Sequence, residues 1–224
     1  MAQLVTGLTA DAVRGNLAEV REEIAAAAGR AGRDPGEVEI VAAAKYVAPD
    51  ALPVLADAGV TVLGENRAQD LERKHAAFGE RFAWDFIGAL QSRKVRAIAP
   101  LVRRVHSLAS DSALAQLERH APPGLEVLVE VNVAREEGKA GVLPDALGAF
   151  LDRARAVEPL AVVGLMTMPP LSTDAEGSRR WFAALRELAA AHGLPHLSMG
   201  TTQDFPVAVE EGATLVRIGT RLYR

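Results

Sequence analysis

Eight short apolar runs, each followed by a longer amphipathic segment, constrain this chain more than anything else in it. The runs are VEIVAAAKYV (38–47), VTVLGEN (60–66), FAWDFIGAL (82–90), VRRVHSLA (102–109), LEVLVEVNV (125–133), LAVVGLMTM (160–168), PHLSMGT (195–201) and TLVRIGT (214–220). Seven segments readable as helices lie between them, from APDALPVLADAG (48–59) to QDFPVAVEEGA (203–213). Near-continuous apolar strands alternating with helices predict a parallel sheet covered on both faces. Eight such repeats in 224 residues predict a single-domain (β/α)8 barrel, near the short end of its size range. An opening helix precedes the first strand. Thr9 is its expected N-cap, Asp11 sits in its first turn, and Val13, Leu17, Val20 and Ile24 make an apolar stripe at helical spacing. Gly29 or Gly32, then Pro35, stops it. The expected organisation is one domain over residues 1–224, with residues 1–36 as an extra helical extension packed on the barrel. An open doubly wound sheet is the alternative. No Gly-x-Gly-x-x-Gly follows the first strand, so its dinucleotide-binding version has no support.

Composition narrows the function. The net charge is −4 and aromatic residues make up 4% of the chain. There is neither a basic field for nucleic acid or anionic lipid nor a base-stacking surface. With no cysteine, disulfides, thiolate metal sites and thiol nucleophiles are excluded. The N-terminus shows no basic n-region followed by an apolar h-region, and no apolar stretch reaches a membrane span. The expected compartment is the cytoplasm.

The chain has four lysines (Lys45, Lys74, Lys94, Lys139) against 21 arginines. Imine chemistry needs an amine, and arginine cannot lose its proton. Lys45 lies in the middle of IVAAAKYVAP (40–49); the other three fall on expected helices or loops. A lysine in an apolar run has two readings. Either it closes a strand and snorkels to water, or it is a nucleophile in a dry pocket whose burial favours the free amine.

Barrel active sites lie at the C-terminal strand ends, with phosphate often bound after strands 7 and 8. The expected strand ends carry Lys45, then Glu65 and Asn66, Gly88, His106 and Ser107, Asn132, and Met166 and Met168. Strand 7 ends in SMGTT (Ser198, Met199, Gly200, Thr201, Thr202) and strand 8 in RIGT (Arg217 to Thr220). These glycine-bearing, hydroxylic stretches suit phosphate oxygens; taken alone, they also suit ordinary turns. An amine facing a phosphate cup fits an aldehyde that carries its own phosphate, such as pyridoxal 5′-phosphate (PLP). Arg217 leads into the cup. It is read either as a donor to the pyridine nitrogen or as an inward charge paired with an acid such as Glu130. The five histidines show no metal-ligand spacing and read as solvated surface. No Gly-x-Ser-x-Gly elbow supports a Ser-His-Asp hydrolase.

Six stretches carry a resemblance: VAAAKYVAPDAL, LGENRAQD, WDFIGALQSRK, VEVNVAREEGKAG, GLMTM and LSMGTTQDFPVAVEEGATLVRIGT. In this order, from Val38 to Thr220, they resemble the YggS/PROSC-type pyridoxal phosphate homeostasis proteins. The resemblance implies a barrel like the N-terminal half of alanine racemase, with PLP as an imine on Lys45. It implies phosphate contacts from Ser198, Gly200, Gly219 and Thr220 within the two glycine-bearing stretches, which include Met199 and Thr202. It further implies Arg217 near the ring nitrogen and a pocket lined by Asn66, Asn132 and Met166. Three places depart from the family pattern. Asp85 stands where histidine is more usual, SMGTT replaces the more usual Ser-Met-Gly-Met-Ser, and the ending is RLYR.

Racemisation needs an acid and a base on opposite faces of the substrate. In two-domain racemases, resemblance implies, the second group is a tyrosine from the other domain. Here the only tyrosines are Tyr46 and Tyr223. The expectation is therefore a monomeric PLP carrier or buffer in PLP homeostasis, not an enzyme, with apo PLP-dependent enzymes as recipients. A small PLP-dependent racemase or lyase is the first alternative. A cofactor-free Schiff-base aldolase is the second.

Overall fold

Each apolar run forms a strand because its alternate side chains find two different apolar surroundings, the barrel interior and the helical layer. In the computed structural model, which describes residues 5–224, the strands are β1 (Glu39–Ala43), β2 (Val62–Glu65), β3 (Ala83–Phe86), β4 (Arg104–Leu108), β5 (Leu125–Glu130), β6 (Leu160–Met166), β7 (His196–Thr201) and β8 (Leu215–Ile218). They close into one barrel in sequence order. All neighbours are parallel, and β8 returns to β1 with Val41 opposite Arg217. The helices are α1 (Ala10–Arg30), α2 (Leu52–Asp57), α3 (Ala68–Phe78), α4 (Val95–Ile98), α5 (Asp111–His120), α6 (Leu147–Arg155), α7 (Arg179–Ala191) and α8 (Phe205–Glu210).

Outward residues such as Ala42, Leu63, Trp84, Val105, Val127, Leu197 and Val216 join the helices in the main core. Inward, Val41, Val62, Leu128, Met166 and Leu215 form a separate small cluster. The rest of the interior is polar. Asp85, Arg104, His106, Ser198 and Arg217 are all buried.

The opening helix forms as the sequence predicts. Thr9 Oγ1 accepts from the Ala12 amide at 3.3 Å, and Val13, Leu17, Val20 and Ile24 are buried. Burying such side chains stabilises by roughly 1.5–3 kcal/mol each, which holds α1 down. Its place in the fold defines the expected extension. α1 packs against α8 and α2, the slot that a helix following β8 would fill in a regular repeat. After β8 the described chain makes only the short turn Thr220–Leu222. Asn16 of α1 donates from Nδ2 to the carbonyls of Leu222 at 3.2 Å and Arg224 at 2.7 Å. α1 is thus the eighth helix of the ring. Residues 1–4 of the expected extension lie outside the described residues. Among the described residues no helix is long and apolar enough to cross a membrane.

Candidate functional site

Alternation along β1 turns Val41 inward and Ala42 outward, and Ala44, just past the strand, outward as well. Lys45 therefore emerges above the barrel mouth. A cavity of about 670 Å³ opens there, and every strand end contributes to its lining. Lys45, Tyr46, Asn66, Gly88, Ser107, Glu130, Met166, Met168, Thr202, Arg217, Gly219 and Thr220 all line it. Lys45 is the one lysine in that lining, and its Nζ stands 4.8 Å from the Tyr46 ring centroid.

The structure corrects the expectation that Lys45 is buried. β1 ends at Ala43 and Lys45 is exposed in the following turn. The buried lysine is Lys74, on α3 and 1% exposed. It is ion-paired with the fully buried Glu65 and donates to the Ala44 carbonyl at 2.7 Å. Glu65 in turn accepts from the Asn66 amide at 3.2 Å. Burial pushes the Glu65 carboxyl up against the pull of Lys74. One buried ion pair therefore holds the backbone beside two cavity residues, Lys45 and Asn66. The Asn66 side-chain amide makes no hydrogen bond among the described residues, and its Oδ1 is buried. Buried polar groups are rarely left without a partner, so a ligand with polar edges fits this wall. Gly88 packs directly against Asn66 on the same wall: a Cβ there would fall 2.1 Å from the Asn66 carbonyl oxygen.

The two glycine-bearing stretches divide. Thr202, Gly219 and Thr220 line the cavity. Thr202 Oγ1 accepts from the Gly219 amide at 3.2 Å, leaving its hydroxyl proton free to donate, and the Thr220 hydroxyl makes no hydrogen bond among the described residues. Ser198, Met199 and Gly200 are not part of the lining. Met199 points out into the main core. Gly200 has φ +88, and a Cβ there would meet Ala208 Cβ at 2.6 Å, so it admits α8 rather than an anion. Ser198 is fully buried inside the barrel. Asn132 also lies off the cavity lining. Its Nδ2 donates to the Glu136 carbonyl at 2.8 Å and its Oδ1 accepts from the Glu136 amide at 3.1 Å, which folds the loop after β5.

Arg217 is 6% exposed and lines the cavity floor. Its Nη1 donates to Ser198 O at 2.8 Å and Ser198 Oγ at 2.5 Å, and its Nη2 to Thr167 O at 3.0 Å and Met168 Sδ at 2.9 Å. Burial draws its pKa down to about 10, against the pull of Asp204 and Glu130. Glu130 lines the same cavity, and burial pushes its carboxyl up. The two do not form an ion pair within 4.0 Å, so that reading of Arg217 is not what the structure shows. Beneath Arg217, Ser198 Oγ lies 2.8 Å from His106 Nδ1, and His106 Nε2 lies 3.0 Å from Asp85 Oδ2. The solvated histidine expected at 106 is in fact fully buried. Serine, histidine and aspartate do come together, but none of the three is more than 2% exposed, so no substrate reaches the hydroxyl.

The model of the alanine racemase N-terminal domain matches residues 11–224. A pyridoxal phosphate homeostasis protein of Aquifex aeolicus is 39% identical over 217 residues, covering 92% of this chain and 95% of the relative. The chain belongs to the family of pyridoxal phosphate homeostasis proteins. PipY of Synechococcus elongatus, a protein of known structure solved with PLP bound, is 29% identical with a TM-score of 0.82, over 95% of this chain and all of that one. Alanine racemase of Corynebacterium glutamicum is 19% identical at a TM-score of 0.70 and shares the fold; all of this chain covers 63% of that one. Two departures from the homeostasis-protein pattern find a structural place. Asp85 enters the buried line beneath Arg217. The RLYR ending puts Arg224 on the cavity lining, a contact the sequence gives no sign of. It also buries Tyr223 with its hydroxyl unpartnered among the described residues, its titration pushed up by burial and then by Glu65.

Proposed function

We propose that this protein binds PLP in the barrel mouth, through a covalent C=N link to Lys45, and serves PLP homeostasis in the cytoplasm as a monomeric carrier rather than a catalyst. PLP supplies a reactive aldehyde at one end and a phosphate dianion at the other. One observation carries the reading: a single cavity holds one lysine amine, a buried guanidinium, an unpartnered asparagine amide and the hydroxylic Gly219–Thr220 turn. Lys45, exposed at the mouth, provides an amine that incoming aldehydes reach. Thr202 and Thr220 offer hydroxyl donors to phosphate, and Met166 gives an apolar wall for a ring. Arg217 donates toward a ring nitrogen and opposes its protonation. Asn66 offers its free amide to the ring's polar edge. PLP binding by PipY, and the homeostasis names of the relatives, support the assignment. Ser198, Met199, Gly200 and Asn132 support the cavity from behind in this reading.

Borohydride reduction of the PLP-loaded protein, followed by peptide mapping, is expected to place the pyridoxyl group on Lys45. Label on Lys94 or Lys139, with Lys45 clean, would refute it. Thr220→Val is expected to weaken PLP by roughly 1.5–3 kcal/mol, as for a hydrogen bond to a charged group, and to leave pyridoxal without phosphate nearly unaffected. Transfer of PLP to an apo-enzyme tests the carrier role. The presence of Tyr46 beside Lys45 favours a racemase as the second reading. Both residues stand in one turn, however, and racemisation needs acid and base on opposite faces. Deuterium exchange at Cα of alanine at ordinary enzymatic rates would move that reading to first place.

A further inference from the structure

The line of hydrogen bonds beneath Arg217 has one permitted direction. Arg103 donates from Nε to Asp85 Oδ1 at 2.8 Å. Burial works against the Asp85 carboxylate, but its His106 and Arg103 hydrogen bonds outweigh it and hold the pKa below the usual range. An ionised carboxylate only accepts, so His106 Nε2, 3.0 Å away, carries a proton. Burial holds His106 below its ordinary value, so the ring is neutral and Nδ1 is a lone pair. Ser198 Oγ, 2.8 Å from Nδ1, must therefore give its proton to the imidazole. That leaves its lone pairs for Arg217 Nη1 at 2.5 Å. The opposite tautomer would turn the serine proton toward a guanidinium N–H, donor against donor.

We infer that Asp85, His106 and Ser198 are positioning residues for Arg217, a one-directional line of hydrogen bonds that fixes the guanidinium and leaves its Nε–H as the donor facing the cavity. Nε is the one nitrogen of Arg217 with no hydrogen bond among the described residues, while Nη1 and Nη2 hold four contacts between them. Without the Ser198 hydroxyl, Nη1 keeps only the Ser198 carbonyl, and nothing ties the guanidinium to His106 and Asp85. The charge that sets the direction sits on Asp85, three hydrogen bonds from the cavity-lining Arg217. The inference rests on the reading that Arg217 meets the ring nitrogen of PLP, but its first link is measurable without PLP.

The test has two stages. Nitrogen-15 NMR of histidine-labelled protein free of PLP is expected to show His106 with Nε2 protonated and Nδ1 bare. Asp85→Asn, of the same shape, presents an amide donor to Nε2 and is expected to shift His106 toward the reversed tautomer. In the second stage, PLP affinity is measured for Asp85→Asn, Ser198→Ala and the double variant, with the visible band of the bound cofactor recorded. Each single change is expected to weaken PLP roughly tenfold or more, the size of one charge-assisted hydrogen bond, and to move the band. The double variant should lose no more than the larger single loss, because both changes cut the same line. Ser198→Ala removes one oxygen and keeps the outcome readable if Asp85→Asn unfolds. A protonated Nδ1 in the unmodified protein, additive losses, or single variants that bind PLP unchanged would each overturn the inference. Wild-type protein that binds no PLP would instead refute the proposed function, and the tautomer result would still stand.

Discussion

Removing the Lys74 ammonium separates stability from ligand binding. Lys74 is 1% exposed and Glu65 0%, so Lys74→Met strands a carboxylate in the core. Breaking a buried pair from one side costs about 3–5 kcal/mol, a third or more of a typical domain's stability. The cost should depend on pH. With Lys74 gone, only the Asn66 backbone amide still opposes the burial that pushes Glu65 up. Its folded pKa then lies above its unfolded value, and the loss grows as pH rises from about 4 through the folded pKa. Lys74→Met/Glu65→Leu removes both charges and should recover most of the stability, since apolar replacement of a buried pair is often neutral. It does not restore the positioning. The Ala44 carbonyl keeps its bond from Val47 at 2.9 Å but loses Nζ, and the Asn66 amide loses its acceptor. PLP affinity should stay low in the double variant. Urea unfolding followed by tryptophan fluorescence reads stability, because Trp84 packs 5.9 Å from His75, the neighbour of Lys74. Titration with PLP reads binding. A double variant as unstable as the single would refute the stranded-charge explanation. A double variant that binds PLP like the wild type would refute the positioning role.

Three further outcomes are expected. Burial depresses the folded pKa of His106, so the unfolded chain binds more protons below about 6.5. Stability should then fall as pH drops from that value, by up to about 1.4 kcal/mol per pH unit. His106→Gln should flatten this limb in a pH series of urea midpoints, while the loss near and below pH 4, where Asp85 takes up its proton, persists through Arg103; an unchanged upper limb would mean that His106 is charged in the fold. Gly88→Ala places a Cβ 2.1 Å from the Asn66 carbonyl and should lower stability by about 1–3 kcal/mol. Gly219→Ala meets nothing nearer than Ala43 Cβ at 3.6 Å and should leave the melting temperature almost unchanged while weakening PLP; a Gly219→Ala protein with unaltered PLP affinity would place the ligand elsewhere.

The barrel was legible because period and length are local signals. Eight apolar runs with seven amphipathic connectors have few ways to bury both faces of a sheet, and the strands fall within the expected runs. Lys45 was legible through the scarcity of lysine. Its burial was not, because the run VEIVAAAKYV continues past Ala43, where the strand ends, and its apolarity past that point serves the turn. The true buried lysine lies on a helix whose other cations face water. Only tertiary placement of Glu65 and the Ala44 carbonyl against it makes burial tolerable. Period-two alternation separates inward Ser198 from outward Met199, information that reading strand ends as a block discards. Asp85 and His106 face inward on the same count. That they meet depends on the stagger between β3 and β4 and across the barrel to β7, which no single strand encodes.

The ring is closed by residues from opposite ends of the described chain, with Asn16 of α1 gripping the carbonyls of Leu222 and Arg224 and β8 pairing with β1. Contacts spanning some 200 residues form late, because loop closure must be met before they stabilise anything. The cavity straddles that seam, with Lys45 on the β1 side and Arg217, Gly219 and Thr220 on the β8 side. A molecule bonded to Lys45 and gripped by the β8 turn therefore fastens the first strand to the last. During synthesis no partial product can hold it, and in the finished protein its retention reports whether the last seam to close is still shut.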